Sequence, residues 1–325
     1  MLFRTELKVD KAPFQLDHTM KVVTIGSCFA SMIGKKFEES KFVVNTNPFG
    51  IIYNPISQSN LFDLNDSILG EHNFYARDGV VYNYHFHSEL FAESVPEYKA
   101  NVLNLALDFD KTITSADLLI FTFGTAFIYR LLSSDQIVAN CHKASSSLFK
   151  RDTLQEEMIV SSFKTLIAKL RYKNPSLKFI ITVSPVRHIK DTIVLNSLSK
   201  AILRVACHRI CEDLNDVSYF PSFELMMDDL RDYRFYKEDM IHPTEVAEDY
   251  IWSKFSESFF SKETREIMKE WHKVRKAIEH DPFQPQSDGY RTFIKQAIDQ
   301  TKKLERYFNV ETELNILQNK LFLNQ

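Results

Sequence analysis

Glycine is scarce in this chain, with 7 in 325 residues beside 10 prolines, which leaves no room for low-complexity or collagen-like segments. Cysteine is scarce as well. Cys28, Cys141, Cys207 and Cys211 form no CxxC pair, and Cys207 and Cys211 lie one helical turn apart. A disulfide framework is therefore not expected, and the thiols read as reduced. The net charge is only −3, so the basic footprint that would favour nucleic acid or an anionic membrane surface is missing. No apolar run is long enough to span a bilayer. The N-terminal MLFRTELKVDKAPF has no apolar h-region, and the expected location is the cytoplasm.

Phenylalanine, by contrast, is abundant: 27 residues predict a core rich in aromatic packing. Residues 22–25 form a short apolar β-branched run that ends at Gly26. Beyond it, Phe29, Ile33 and Phe37 recur at four-residue spacing between lysines and glutamates. This reads as a buried strand, a tight turn and an amphipathic helix. Further strands are predicted at residues 42–44, 117–123, 178–183 and 217–220. Helices are predicted around Ile159, Phe163, Ile167 and Leu170, opened by a Thr153–Glu156 capping box, along the stripe Leu198, Ile202, Ala206 and Ile210, and over residues 245–260. Residues 57–100 show weak periodicity and read as an irregular excursion, a lid or a cleft wall. From Lys262 the chain turns highly charged and helical, with DPFQPQSDG between two helices.

Strands that alternate with helices predict an α/β fold with a parallel sheet covered on both faces. The expected division is 1–261 for the α/β domain and 262–325 for a C-terminal helical extension, itself a candidate surface for a protein partner or self-association. In such sheets the ligand crevice lies beyond the carboxyl ends of the strands. Gly26-Ser27-Cys28, Gly124-Thr125 and Ser184-Pro185-Val186-Arg187 each follow a strand directly and should meet there.

Four groups of residues suit chemistry. Ser27 or Cys28, at a strand-to-helix turn, sits at the positive end of the helix dipole and can serve as nucleophile; the alternative is a helix cap beside a small core residue. Asp239 and His242, in DMIHP, have the spacing for a carboxylate to orient an imidazole. Gly124, Thr125, Asn47, Gly50 and Asn54 are oxyanion-hole material, or equally ordinary turn residues. Arg187 in SPVRH, His142 in CHK, and His85 and His87 are pocket candidates, and Arg187 suits a substrate carboxylate or phosphate. Asp232, Arg234 and Glu224 fit a structural ion-pair network equally well. Cys141 and His142 with Cys28 or His242 match no zinc-ligand spacing, so neither metal nor cofactor is expected.

GSCFA at residues 26–30, followed in order by NPFGIIYNP, FGTA, CHK, TVSPVRH, LRDYRFY and DMIHPT, resembles the motif blocks of the GSCFA family from about residue 20 to about 260. That family is grouped with the SGNH (GDSL-like) hydrolases, which are esterases, lipases and acetyl-transferring enzymes. The resemblance implies a three-layer α/β/α, flavodoxin-like fold and a triad completed by Asp239 and His242. It also implies that Gly50 and Gly124 stand at the second- and third-block glycines.

Two departures follow. Laying Gly26 on the first-block glycine of Gly-Asp-Ser puts Cys28 at the nucleophile position, whereas a shifted turn restores Ser27. The third-block asparagine is missing from Gly124-Thr125-Ala126-Phe127. The expected activity is ester hydrolysis or O-acyl transfer through an acyl-enzyme, with an acylated carbohydrate or other small ester as substrate. The rival expectation is an SGNH scaffold that has lost catalysis and kept a ligand cleft.

Overall fold

The computed structural model describes residues 5–322. In chain order its strands are β1 (Lys21–Gly26), β2 (Val43–Thr46), β3 (Phe74–Arg77), β4 (Val80–Asn83), β5 (Leu118–Phe123), β6 (Phe127–Leu131), β7 (Ile137–Val138), β8 (Phe149–Thr153), β9 (Lys178–Val183) and β10 (Val217–Phe220). Its helices are α1 (Cys28–Glu39), α2 (Pro55–Asn60), α3 (Asp66–Leu69), α4 (Val95–Ser115), α5 (Glu156–Lys173), α6 (Ile193–Asp213), α7 (Ser222–Glu224), α8 (Glu245–Phe259), α9 (Lys262–Glu279), α10 (Asp288–Leu304) and α11 (Glu311–Phe322).

Five strands make the central sheet in the order β10-β9-β5-β1-β2, and every pairing is parallel. Taken in chain order these are the 2-1-3-4-5 arrangement of flavodoxin-like folds. Period-two alternation divides each inner strand between two apolar layers. Val23, Ile25, Leu119, Phe121, Phe179 and Ile181 face one layer with the apolar sides of α4, α5 and α6. Val22, Leu118, Ile120 and Ile180 face the other, with Phe29, Ile33 and Phe37 of α1 and Ile251, Phe255 and Phe259 of α8. Burial on both faces explains why LLIFTF of β5 carries no exposed position. The fold is α/β/α, as the sequence indicates. Among the described residues, no helix is long and apolar enough to cross a membrane.

Four local readings are corrected. The second strand runs over Val43–Thr46, one or two residues beyond the 42–44 expected. Thr153 ends β8, and α5 opens at Gln155 without a side-chain cap, so the capping box does not form. The stretch 57–100 is ordered: it carries α2, α3, the antiparallel β3–β4 pair and the start of the 21-residue α4. The inward face of α6 is Asn196, Ser199, Lys200, Leu203, Ala206, Cys207 and Ile210, while Leu198 points to solvent.

The chain after Ser261 forms three helices where two were expected. Trp271, Val274, Tyr290, Ile294 and Leu317 bury their apolar surface against one another. The group also touches the end of α1. The Trp271 indole N–H donates to the Glu39 carbonyl at 2.8 Å, and Arg275 pairs with the Glu39 carboxylate at 3.3 Å.

Gly26 closes β1 at φ 144°, and a Cβ there would stand 2.2 Å from the Thr122 carbonyl oxygen on β5. Its N–H donates to Asn47 Oδ1 at 2.8 Å, and its carbonyl accepts the Ile52 N–H at 2.9 Å. Nothing in that frame can yield to a side chain. Gly26→Ala is expected to lose about 3 kcal/mol or more of stability, read from the urea midpoint, because strain and overpacking add.

Candidate active site

The carboxyl ends of β1 and β5 lie side by side, with Gly26 opposite Thr122 in the ladder. Chain order reverses between these two strands, so this edge is the topological switch point where such sheets bind ligands. The GSC turn leaves β1 here. Ser27 is buried, its Oγ accepts the Phe29 N–H at 3.3 Å, and it is the N-cap of α1. Cys28 is the first helical residue and is half-buried. Its own N–H has no intrahelical acceptor, as holds for any first-turn amide, and the helix dipole favours negative charge beside it. The Cys28 Sγ lies 3.6 Å from the Tyr53 hydroxyl.

The DMIHP loop arrives at the same edge just before α8. Asp239 Oδ2 and His242 Nδ1 are 2.7 Å apart. Asp239 Oδ1 accepts the N–H groups of Ile241 at 2.8 Å and His242 at 2.9 Å. The backbone donation from His242, then its ring, then Ile241 hold the Asp239 carboxyl down to about 2. It is therefore a carboxylate throughout the neutral range. Met240 takes φ 57° in this tight loop.

The loop after β9 joins the two parts. The Arg187 N–H donates to the Ile241 carbonyl at 3.4 Å, tying SPVRH to the Asp239–His242 loop. His188 sets its ring edge-on to Tyr53, with centroids 5.1 Å apart. Burial, and then the neighbouring Lys200 and His242, push the His188 imidazole down to about 3, which keeps it neutral. Contacts thus run from Cys28 to Tyr53 and on to His188 across 160 positions of sequence (188 − 28 = 160), and the neighbouring Arg187 N–H joins this series to the DMIHP loop.

The remaining sequence candidates are placed as follows. Asn47 is structural support for the turn: besides accepting from Gly26, its Nδ2 donates to Ser31 Oγ at 2.8 Å. Asn54 caps α2, with Oδ1 on the Ser57 N–H and Nδ2 on Ser57 Oγ. The Gly50 N–H donates to the Asn47 carbonyl at 2.7 Å, and the Gly124 and Thr125 N–H groups both donate to the Tyr53 carbonyl, at 2.8 and 3.3 Å. Thr125 Oγ1 lies 3.1 Å from Ser199 Oγ. The amides of Gly50, Gly124 and Thr125 are thus already engaged.

Arg187 stacks its guanidinium on Tyr236 at 4.1 Å and Tyr233 at 5.1 Å. His142 is buried, with Nε2 2.8 Å from the Asn83 carbonyl, Nδ1 3.0 Å from Ser88 Oγ, and its ring stacked on Tyr82. His85 is buried, and His87 packs where a Cβ on Gly50 would sit. Glu224 binds Arg204 and the Tyr219 hydroxyl, and Asp232 caps the Arg234 N–H, which are structural roles.

Two residues that sequence reasoning did not single out are Tyr53 and Lys200. Lys200 is completely buried on α6, and its ammonium donates to the carbonyls of Gly124 at 2.8 Å and Ser184 at 2.7 Å. It clamps the ends of β5 and β9 directly beneath the site. Burial pushes it down to about 7.

Residues 21–255 match the GSCFA family, which is more than half of the chain. The chain belongs to the GSCFA family. Residues 271–322 match a second description, GSCFA domain protein, C-terminal domain. No curated protein matches. Among solved structures, a family 3 carbohydrate esterase of Clostridium thermocellum shows 10% identity over 77% of this chain and 97% of its own, with a TM-score of 0.33. A family 3 carbohydrate esterase from Talaromyces cellulolyticus shows 10% identity over 77% and 98%, with a TM-score of 0.35. An acetyl xylan esterase from Butyrivibrio proteoclasticus shows 14% over 63% and 56%, with a TM-score of 0.32.

Proposed function

We propose that this GSCFA protein is an ester hydrolase or O-acyl transferase that works through an acyl-thioester on Cys28. The observation that carries the reading is the formed Asp239–His242 pair, tied through Arg187 to the same sheet edge that presents Cys28 at a helix start. Ser27 is the weaker candidate, because its hydroxyl is buried and engaged as a cap.

In this reading His242 Nε2 takes the Cys28 proton as Sγ attacks the acyl carbon, and the carbonyl electron pair moves onto oxygen. Asp239 fixes the tautomer with the proton on Nδ1 and stabilises the imidazolium. Collapse breaks the ester C–O bond, and His242 returns its proton to the leaving alkoxide. Water, or the hydroxyl of an acceptor, then attacks the thioester with His242 again as base, and Cys28 is released as the thiol. Hydrolysis and transfer differ only in that second nucleophile. An O-acetylated carbohydrate is the substrate class we propose, from the superfamily resemblance alone.

Asp239→Asn tests the dyad. An amide in place of the carboxylate no longer selects the Nδ1–H tautomer, and comparable changes cost about 10⁴ in kcat. The expected result is a fall of roughly 10²–10⁴ in turnover of p-nitrophenyl acetate with little change in KM. Unchanged turnover would remove the dyad from the reaction.

A second reading is a ligand-binding protein on the same scaffold. It is favoured by the engagement of the Gly50, Gly124 and Thr125 amides with backbone carbonyls, which leaves them unavailable to an oxyanion. Isothermal titration with acetylated oligosaccharides separates the two. Binding without turnover in the wild-type protein supports the second reading, and turnover excludes it.

A further inference from the structure

The missing third-block asparagine and the engaged glycine amides pose one question: what else donates to an oxyanion formed at Cys28? We infer that Tyr53 is a catalytic residue whose hydroxyl supplies that hydrogen bond, together with the Cys28 N–H. The inference rests on the Cys28 acyl-thioester reading.

Four observations meet at Tyr53. Its hydroxyl lies 3.6 Å from Cys28 Sγ, the side-chain hydrogen-bond partner recorded for that atom. Its carbonyl accepts the N–H groups of both Gly124 and Thr125, so the segment that would carry the third-block donors is used instead to hold Tyr53 in place. A Cβ on Gly124 would meet the Tyr53 carbonyl at 3.0 Å and its ring at 3.2 Å, so the glycine serves close approach of these two segments. His188 packs against the ring, with centroids 5.1 Å apart and planes nearly perpendicular.

The chemistry suits the placement. Burial, and then the neighbouring Cys28, push the phenol upward, so it keeps its proton at neutral pH and acts as a donor. When Sγ bonds the acyl carbon, negative charge appears on the oxygen one bond beyond that carbon. The Tyr53 O–H then turns from sulfur to that oxygen, and the Cys28 N–H, free of an intrahelical acceptor at the helix start, is the second donor. No proton leaves Tyr53 at any step. It gives a hydrogen bond that strengthens as the tetrahedral adduct forms and relaxes when the adduct collapses.

Tyr53→Phe removes only the oxygen. The ring remains for His188, and the backbone carbonyl remains for Gly124 and Thr125. Two reactions of Cys28 are compared in wild type and variant. One is acylation by p-nitrophenyl acetate, read from the first-turnover release of p-nitrophenolate and from the adduct mass. The other is alkylation by iodoacetamide, which passes through no oxyanion. The expected result is acylation slowed about 10²-fold, as when a single oxyanion donor is lost, with alkylation changed by less than about fivefold.

Equal losses in both reactions overturn the inference, because the hydroxyl would then act on the thiol itself or on the fold. Unchanged acylation overturns it as well, while the reading of Cys28 stands. If the wild-type protein forms no adduct on Cys28, the cysteine reading itself fails and this inference falls with it.

Discussion

Cys28→Ala is expected to reduce esterase turnover by at least about 10³-fold, since a hydrolase stripped of its nucleophile loses up to ~10⁶ in kcat. Ser27→Ala is the paired control, and the two positions separate cleanly. The Ser27 hydroxyl accepts the Phe29 N–H at the start of α1, so its loss is expected to cost about 0.5–2 kcal/mol of stability. The rate per folded molecule should stay within severalfold of wild type. Cys28 Sγ caps nothing; its recorded side-chain partner is the Tyr53 hydroxyl, so its removal should alter chemistry far more than folding. The measurement is a kcat and KM comparison alongside urea unfolding of the same samples. The reverse pattern, with Ser27 essential and Cys28 dispensable, would assign the nucleophile to Ser27.

Lys200→Met is expected to be the most destabilising substitution outside the glycines. The side chain is fully buried, and its three-proton head satisfies the Gly124 and Ser184 carbonyls. Methionine fills similar space and leaves both oxygens without a donor. Each orphaned buried acceptor costs about 1–3 kcal/mol, so a loss of roughly 2–6 kcal/mol is expected.

A pH signature accompanies that loss. Burial lowers the Lys200 ammonium from 10.5 to about 7. Between those two values the unfolded chain binds a proton that the folded chain has released. Stability contributed by this group therefore rises with pH across that window. The two carbonyl acceptors favour the charged form and narrow the window from below. Unfolding free energies at pH 7 and 9 should rise more in the wild-type protein than in Lys200→Met. Equal slopes would mean that Lys200 keeps its proton in the folded state.

The central sheet was legible in the sequence because burial on both faces writes strands as short apolar runs. Residues 178–183 and 217–220 were bounded as found, and β1 and β5 to within a residue. The long α4 was not legible for an equally physical reason. It buries Tyr98, Val102, Phe109 and Ile113, but Leu103 and Leu107 lie on its solvent side and blur the period. The phase of α6 was misread through Leu198. Its inward face includes a lysine, which pattern reading assigns to solvent.

The dyad was legible because Asp239 and His242 are neighbours in sequence and pair locally. Gly50, Gly124 and Asn54 were chosen by residue type, loop position and family resemblance, which cannot show whether a donor is already engaged. For the two glycines that depends on where the carbonyls of Asn47 and Tyr53 fall, and for Asn54 on Ser57. Tyr53 stood inside a quoted motif, but its approach to Cys28 exists only once β1 and β5 lie side by side. Lys200 left no trace at all, since both of its partners are backbone oxygens.

The most direct test of the account is peptide mapping of the wild-type and His242→Ala proteins after quenching a reaction with p-nitrophenyl acetate under reducing conditions. An acetyl thioester is expected on Cys28 in the wild-type protein, sensitive to hydroxylamine, and forming at least about 10²-fold more slowly without His242. An adduct on Ser27, an adduct on Cys28 that forms equally fast in both proteins, or no adduct at either residue would contradict it.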